Sequence, residues 1–460
     1  MNLRDALGRN EQLLLPEYTL IDDVPLAAHA VLIRDGVFAD VGPAHLLQQR
    51  HPQLVPTVLP RRLLMPGFID THHHLTQSYG KALAFGEPSE IFRRIWVPLE
   101  QHLDNRDLHL SSQLACLEAL RGGFTTVCDA GTRSDAGLDA IEAAVHSTGI
   151  RCVLARTCND AGAEAAQAAA TVRAAEQHLS ASRPSGLIHP SLAVSIPEAG
   201  SDTMLARVAQ LCREAGAVFQ VHVNEHLASI ERSLIARGHR PLEVLYRAEA
   251  LGPELLAAHA TMLTPGELVL LRDSGAAVSY NPVASSWKGN AVAPALQMRA
   301  LGIRLGLGTD GTRSDAFRLM DAAETAQRLV FGLPAGDFSC GAGWTWLAMA
   351  TTWGADACGL SRTTGRVAAG LAADCLLIDL DVPELAPSWD LGWEMVRLAG
   401  RSQIEAVMVQ GRLRLWQGWP VDWDARALMD EVRDRSQAAV SAAPIHRVHP
   451  TSAQARAGLG

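Results

Sequence analysis

Between residues 64 and 309 the chain keeps alternating. Short apolar runs of strand length lie at 64–74, 125–130, 151–158, 188–196, 218–224, 255–262, 276–281 and 304–309. Helix-like segments such as Asp107–Arg121, Leu138–Ser147 and Ala163–His178 separate them. A strand covered on both faces reads as a continuous apolar run, and covering both faces is what helices do for a parallel sheet. Eight strand–helix units over about 300 residues predict a (β/α)8 barrel.

The two ends of the chain read differently. Residues 1 to 62 hold short strands, with a hairpin signal at Asp35-Gly36 between Ala30–Ile33 and Val37–Val41. They are too few to bury their own faces. Strand-like runs return at 373–378 and 407–415, the second with a turn at Gln410-Gly411. We expect residues 1–63 and 366–440 to form one composite β-sandwich around a barrel of residues 64–365. Residues 441–460, rich in Ala, Ser, Pro and Gly, are expected to be a flexible tail.

Charge and cysteine content narrow the partners. The net charge of -9 argues against nucleic acid and anionic membranes. No uncharged run reaches the 18 residues a membrane span needs. The N-terminal residues lack the apolar core of a signal peptide. The eight cysteines form no CxxC pair, which suits a reducing cytoplasm. A small molecule is the expected partner.

In such a barrel chemistry gathers where the strands end. The first run leads into His72-His73-His74. Side chains alternate along a strand, so His72 and His74 share a face and His73 takes the other. Two imidazoles on one face make half a metal site. The fifth run carries His222 and then Glu225, the sixth ends in His259, and the eighth ends in Asp310. Singly, each has an ordinary structural explanation: a core histidine, or an aspartate in a turn before glycine. Together they mark one end of the barrel. His73, facing away, is expected to pack or to hydrogen-bond behind the site.

Four motifs in this order, PGFIDTHHHL at 66–75, VHVNEH at 221–226, LLAAHATML at 255–263 and LGLGTDG at 305–311, resemble the amidohydrolase superfamily. Within it they resemble the branch of cytosine, guanine and S-adenosylhomocysteine deaminases and triazine hydrolases. The resemblance implies that His72, His74, His222 and Asp310 hold one divalent metal, with zinc favoured and iron able to replace it. It implies that the metal makes hydroxide available near neutral pH, that Asp310 takes the water's proton, that Glu225 protonates a ring nitrogen and that His259 hydrogen-bonds the nucleophile or oxyanion. A homo-oligomer is typical of the family. Relatives with two metals bridge them through a carboxylated lysine late in the fourth strand. Here no lysine lies between Lys81 and Lys288, so a single metal is expected. His189 begins that strand and reads as structural.

The expected activity is hydrolytic deamination of an amino-substituted N-heterocycle: a purine, pterin, pyrimidine or triazine. Glu225 favours it, because an amine leaves only with help from an acid. Expulsion of chloride or an alkylamine from the same scaffold is the alternative, and a non-catalytic metal-binding barrel the remote one. Gln77, Arg156 and Asn281, at or just past strand ends, are expected to reach the substrate. Trp96 is expected to stack on it or to pack in the core. The run Asn281-Pro282-Val283-Ala284-Ser285-Ser286-Trp287 departs from the NPxSN-like sequence usual there.

Overall fold

The computed structural model describes residues 3–87, 90–134, 137–181, 183 and 185–458. In chain order the N-terminal strands are β1 (Glu11–Ile21), β2 (Val24–Ala27), β3 (His29–Arg34), β4 (Val37–Pro43) and β5 (Thr57–Pro66). Then come β6 (Phe68–His73), β7 (Phe124–Asp129), β8 (Arg151–Thr157), β9 (Ile188–Ala193), β10 (Phe219–Val223), β11 (Leu255–His259), β12 (Ala277–Tyr280) and β13 (Arg304–Leu307). The C-terminal strands are β14 (Cys375–Asp379), β15 (Ile404–Val409), β16 (Arg412–Trp416) and β17 (Trp419–Pro420).

Strands β6 to β13 form one sheet in sequential order, every pair parallel. The sheet curls until β13 lies against β6. Side chain and backbone knit the seam. Asp70 accepts hydrogen bonds from Thr309 N (2.9 Å) and Thr309 Oγ1 (2.5 Å), and Asp310 N donates to His72 O (2.8 Å). This is the barrel the alternation predicts, and the seam sets Asp310 beside His72. Gly308 makes that approach possible: a Cβ there would lie 2.3 Å from Asn281 Oδ1 and 2.9 Å from His72 Cβ.

The two chain ends share a second, mixed sheet in the order β17-β16-β15-β14-β5-β1-β3-β4, with β2 on β1. Asp35 and Gly36 both take positive φ, the conformation a two-residue hairpin turn requires. The sheet obeys period two. Leu64 of β5 faces a cluster with Phe38, Cys375 and Met408, whereas Leu63 and Met65 join the barrel's own core. From β5 the chain runs through Gly67 straight into β6. Only glycine fits there, since a Cβ would fall on the Thr125 side chain. Arg151 of β8 and Asp374, both buried, join sheet to barrel through two hydrogen bonds of 2.8 and 3.2 Å.

The C-terminal segment corrects one expectation. The helix Ala425–Ala442 lies outside the sheet and packs on the barrel helix Asn105–Arg121, where Arg435 Nε donates to Asp107 Oδ1 at 2.7 Å. The chain beyond it is not loose throughout. His446 N donates to Arg94 O, and the buried carboxylate of Glu87 accepts from Arg447 Nε, Val448 N and His449 N. The segment's richness in Ala, Ser, Pro and Gly suggested a tail; a buried carboxylate that accepts from the Arg447 side chain and from backbone N–H groups holds residues 447–449 instead. Among the described residues no helix is long and apolar enough to cross a membrane, and all eight cysteines are free and buried.

Candidate active site

Five side chains converge where the barrel strands end. From β6 come His72 and, one residue past its end, His74; β10 supplies His222, β11 supplies His259, and Asp310 follows β13. Asp310 Oδ1 lies 3.3 Å from Nε2 of both His72 and His74. His74 Nε2 is 3.3 Å from His222 Nε2. Ligand atoms of His72, His222, His259 and Asp310 all lie within 4.8 Å of one another. His259 and Asp310 both carry positive φ, 73° and 59°. Non-glycine residues hold that conformation at a cost, and only where the surroundings impose it.

Second contacts fix which nitrogen faces the centre. His222 Nδ1 lies 2.6 Å from Ser195 O, so Nδ1 carries the proton and Nε2 presents a lone pair inward. Nε2 of His72 is buried with no hydrogen-bond partner, 3.3 Å from Asp310 Oδ1. His259 is wired the other way. Ser279 Oγ donates to Asn281 Oδ1 at 2.8 Å, which turns the Asn281 amide nitrogen toward His259 Nδ1 at 3.2 Å. An amide N–H can only donate. His259 Nδ1 therefore accepts, and its Nε2 carries a proton into the site.

Burial keeps His74, His222 and His259 neutral at pH 7. It pushes His74 down to about 4 against the pull of Asp310, and His259 down to about 4 against Glu225 and Asp310. His222 falls well below the usual range through burial, with His72 and His74 adding to it. Neutral imidazole is the form that binds a metal.

Glu225 stands 3.8 Å from His259 Nε2 and lines the cavity above. Its loop is held from behind. Thr261 Oγ1 donates to the carbonyls of Asn224 and Glu225, and Asn224 Nδ2 donates to Glu267 Oε1 at 2.8 Å. Burial alone would raise the Glu225 carboxyl. The Lys288 ammonium, 2.7 Å from Glu225 Oε1, outweighs burial and holds the carboxyl well below the usual carboxylate range.

The cavity measures about 680 Å³. Gln77 and Trp96 line it, with Phe92, Arg133, Thr157, Asn159, Ser195 and Glu198. Gln77 Nε2 also reaches the buried Glu100 at 3.3 Å. Two expected substrate residues lie elsewhere. Arg156 points outward on β8, and its charge bears on His178 of the outer helix Ala165–Ser180. Thr157, its neighbour on the alternate face, takes the inward place. Asn281 is buried behind His259 and sets that ring rather than meeting substrate. His73 turns from the centre, and its Nε2 pairs with Ser314 Oγ at 3.1 Å.

Sequence reasoning missed Lys288. It ends the helix Pro282–Lys288, and its ammonium reaches both Glu225 and Asp310. The available signal was its scarcity: it is one of two lysines in 460 residues.

The Amidohydrolase family model matches residues 63–414. The chain is 28% identical over 427 residues to a 5'-deoxyadenosine deaminase of Methanosarcina mazei, covering 89% of this chain and 93% of that one. It is 29% identical over 428 residues to a 5-methylthioadenosine/S-adenosylhomocysteine deaminase of Nitratidesulfovibrio vulgaris, covering 90% and 92%. Among solved structures, a zinc-bound adenosine deaminase from Xanthomonas campestris superposes with a TM-score of 0.84 at 24% identity, covering 94% of this chain and 99% of that one. A zinc complex of atrazine chlorohydrolase from Arthrobacter aurescens gives 0.80 at 19%, covering 93% and 99%. With its barrel, its strand-end histidines and a match that spans most of its length, the chain belongs to the amidohydrolase family.

Proposed function

We propose that this protein is a metal-dependent hydrolytic deaminase acting on an amino-substituted purine, with adenine nucleosides as the first candidates. The observation that carries the reading is the meeting of imidazole nitrogens and the Asp310 carboxylate at the floor of a cavity whose wall holds Glu225. The names of the relatives favour an adenine nucleoside over a triazine. The cavity is within the size range that encloses a drug-sized ligand, larger than a bare ring needs.

His72, His74, His222 and Asp310 would hold the metal. His74 is preferred to His259 in that set because the proton on His259 Nε2 leaves no lone pair to offer. Three imidazoles and a carboxylate suit zinc; iron fits the same donors. A divalent metal in this set lowers the pKa of a bound water toward neutrality.

The chain's own groups do the rest. His259 Nε2–H donates to oxygen at the attacked carbon, where negative charge develops. Glu225 enters as a carboxylate, so it would take one proton from the attacking water and give it to the ring nitrogen beside that carbon, while Asp310 would take the other and return it to the amine, which leaves as ammonia. Protonation there withdraws electrons from the carbon and prepares the amine to leave. Gln77 offers a donor and an acceptor to the ring edge, and Trp96 a flat apolar wall. The free cysteines fit a reducing compartment, and we place the enzyme in the cytoplasm.

The test is ammonia release across adenosine, 5'-deoxyadenosine, 5'-methylthioadenosine, S-adenosylhomocysteine, free purines, pterins and triazines. Chelated protein should be inactive and regain activity with zinc. Release of chloride or alkylamine from triazines with no ammonia from any nucleoside would overturn the reading.

A further inference from the structure

Lys288 turns its ammonium into the floor of the cavity. Its side chain is only 14% exposed. A lysine taken out of water is tolerated only where it is paired, and this one is paired twice. Nζ lies 2.7 Å from Glu225 Oε1 and 2.5 Å from Asp310 Oδ2. Asn290 Nδ2, two residues on, reaches the same Glu225 oxygen at 3.4 Å.

The two oxygens of Asp310 are thereby given different work. Oδ1 faces Nε2 of His72 and His74, and Oδ2 faces the ammonium. A carboxylate with both oxygens free can grip a metal through either or both. One whose outer oxygen is held presents a single ligand atom. The same ammonium ties down Glu225, whose charge would otherwise repel that of Asp310. It thus fixes the spacing between the carboxylate of the metal set and the carboxylate that serves the substrate.

We propose that Lys288 is the positioning residue of this centre: it commits Asp310 to the metal through Oδ1 alone and holds Glu225 in place toward the substrate ring. This deepens the deaminase reading above and rests on it. The lysine acts through the two carboxylates and takes no part in bond making.

The experiment compares wild type, K288M and K288A, each reconstituted with zinc and, separately, with cobalt(II). Metal content is expected to stay near one per chain in all three. In K288M, kcat for ammonia release should fall roughly a hundredfold, the scale of a misplaced acid–base group, while KM stays within about threefold. The visible spectrum of the cobalt protein should weaken, as it does when a second carboxylate oxygen raises the coordination number. Ethylammonium added to K288A should restore activity saturably, whereas tetramethylammonium at the same ionic strength should not. An unchanged cobalt spectrum with unchanged kcat would overturn the proposal. So would a loss of activity that tracks metal loss and resists amine rescue. If the wild type releases no ammonia from any heterocycle, the deaminase reading falls, and the cobalt spectrum still decides the role of Lys288 at Asp310.

Discussion

The amide nitrogen of Asn281 lies 3.2 Å from Nδ1 of His259, and that contact decides which end of the imidazole carries a proton. A change that keeps size but reverses polarity tests it. In N281D a carboxylate faces Nδ1, the proton moves to that side, and Nε2 becomes a bare acceptor. We expect kcat to fall by about two orders of magnitude, the loss seen when an oxyanion donor is removed, with metal content unchanged. Steady-state kinetics alongside elemental analysis checks it. A variant as fast as the parent would show that the tautomer is set elsewhere.

Glu225 is assigned the proton transfer to the ring. E225Q keeps the shape and removes the ability to take up and release a proton. Deamination should drop by about 10²–10⁴-fold, while zinc remains near one per chain because Glu225 is outside the ligand set. Turnover at the parent rate would rule the assignment out.

The pair of Arg151 and Asp374 is the buried link between barrel and sheet, and Asp374 Oδ1 also receives Gln410 N at 2.8 Å. D374A leaves the guanidinium buried and uncompensated. Equilibrium unfolding in urea should show a loss of about 3–5 kcal/mol. A loss under about 1 kcal/mol would mean that water reaches Arg151.

His189 begins β9 far from the chemistry, where burial and then the charge of Arg151 lower it to about 4. Its ordinary value is 6.5. Between those values the unfolded chain binds a proton that the folded chain refuses. Its contribution to stability is therefore intact above pH 6.5 and is lost as pH falls toward 4. H189Q keeps an acceptor for Arg151 and cannot titrate. Relative to wild type it should gain about 2 kcal/mol between pH 6.5 and pH 5. Parallel stability curves for the two proteins over that range would contradict the structural role given to His189.

Why some of this was readable in advance follows from geometry. Strands β6 to β13 are covered on both faces, so each leaves an apolar run in the sequence, and the ligands sit at the ends of those runs. Period two separated His72 and His74 from His73. Arg156 was expected at the substrate from its place near a strand end alone, and one residue of difference there exchanges the inward and outward faces, which gives Thr157 the inward place. Asn281 sits at a strand end as a substrate residue would, but close packing at Gly308 puts it under His259. Lys288 left only its scarcity as a signal, because a long side chain returning from a helix end leaves no periodic trace. The hold on residues 446–449 depends on Glu87, more than 350 positions earlier, and no local composition encodes such a pairing.

That last contact ties a distant segment to the wall of the cavity. Of the two residues that grip residues 446–449, Arg94 lies within the helical turn Phe92–Trp96 and Glu87 pairs with it from just before, and that turn supplies an aromatic wall of the cavity. The proposed metal ligands all lie at or before position 310, yet the wall's outer support comes from residues 446–449. A chain cut just before residue 446 would keep every proposed ligand and lose the outer support of that wall. Cleavage in this segment would therefore strike the substrate side of the site and spare the metal side.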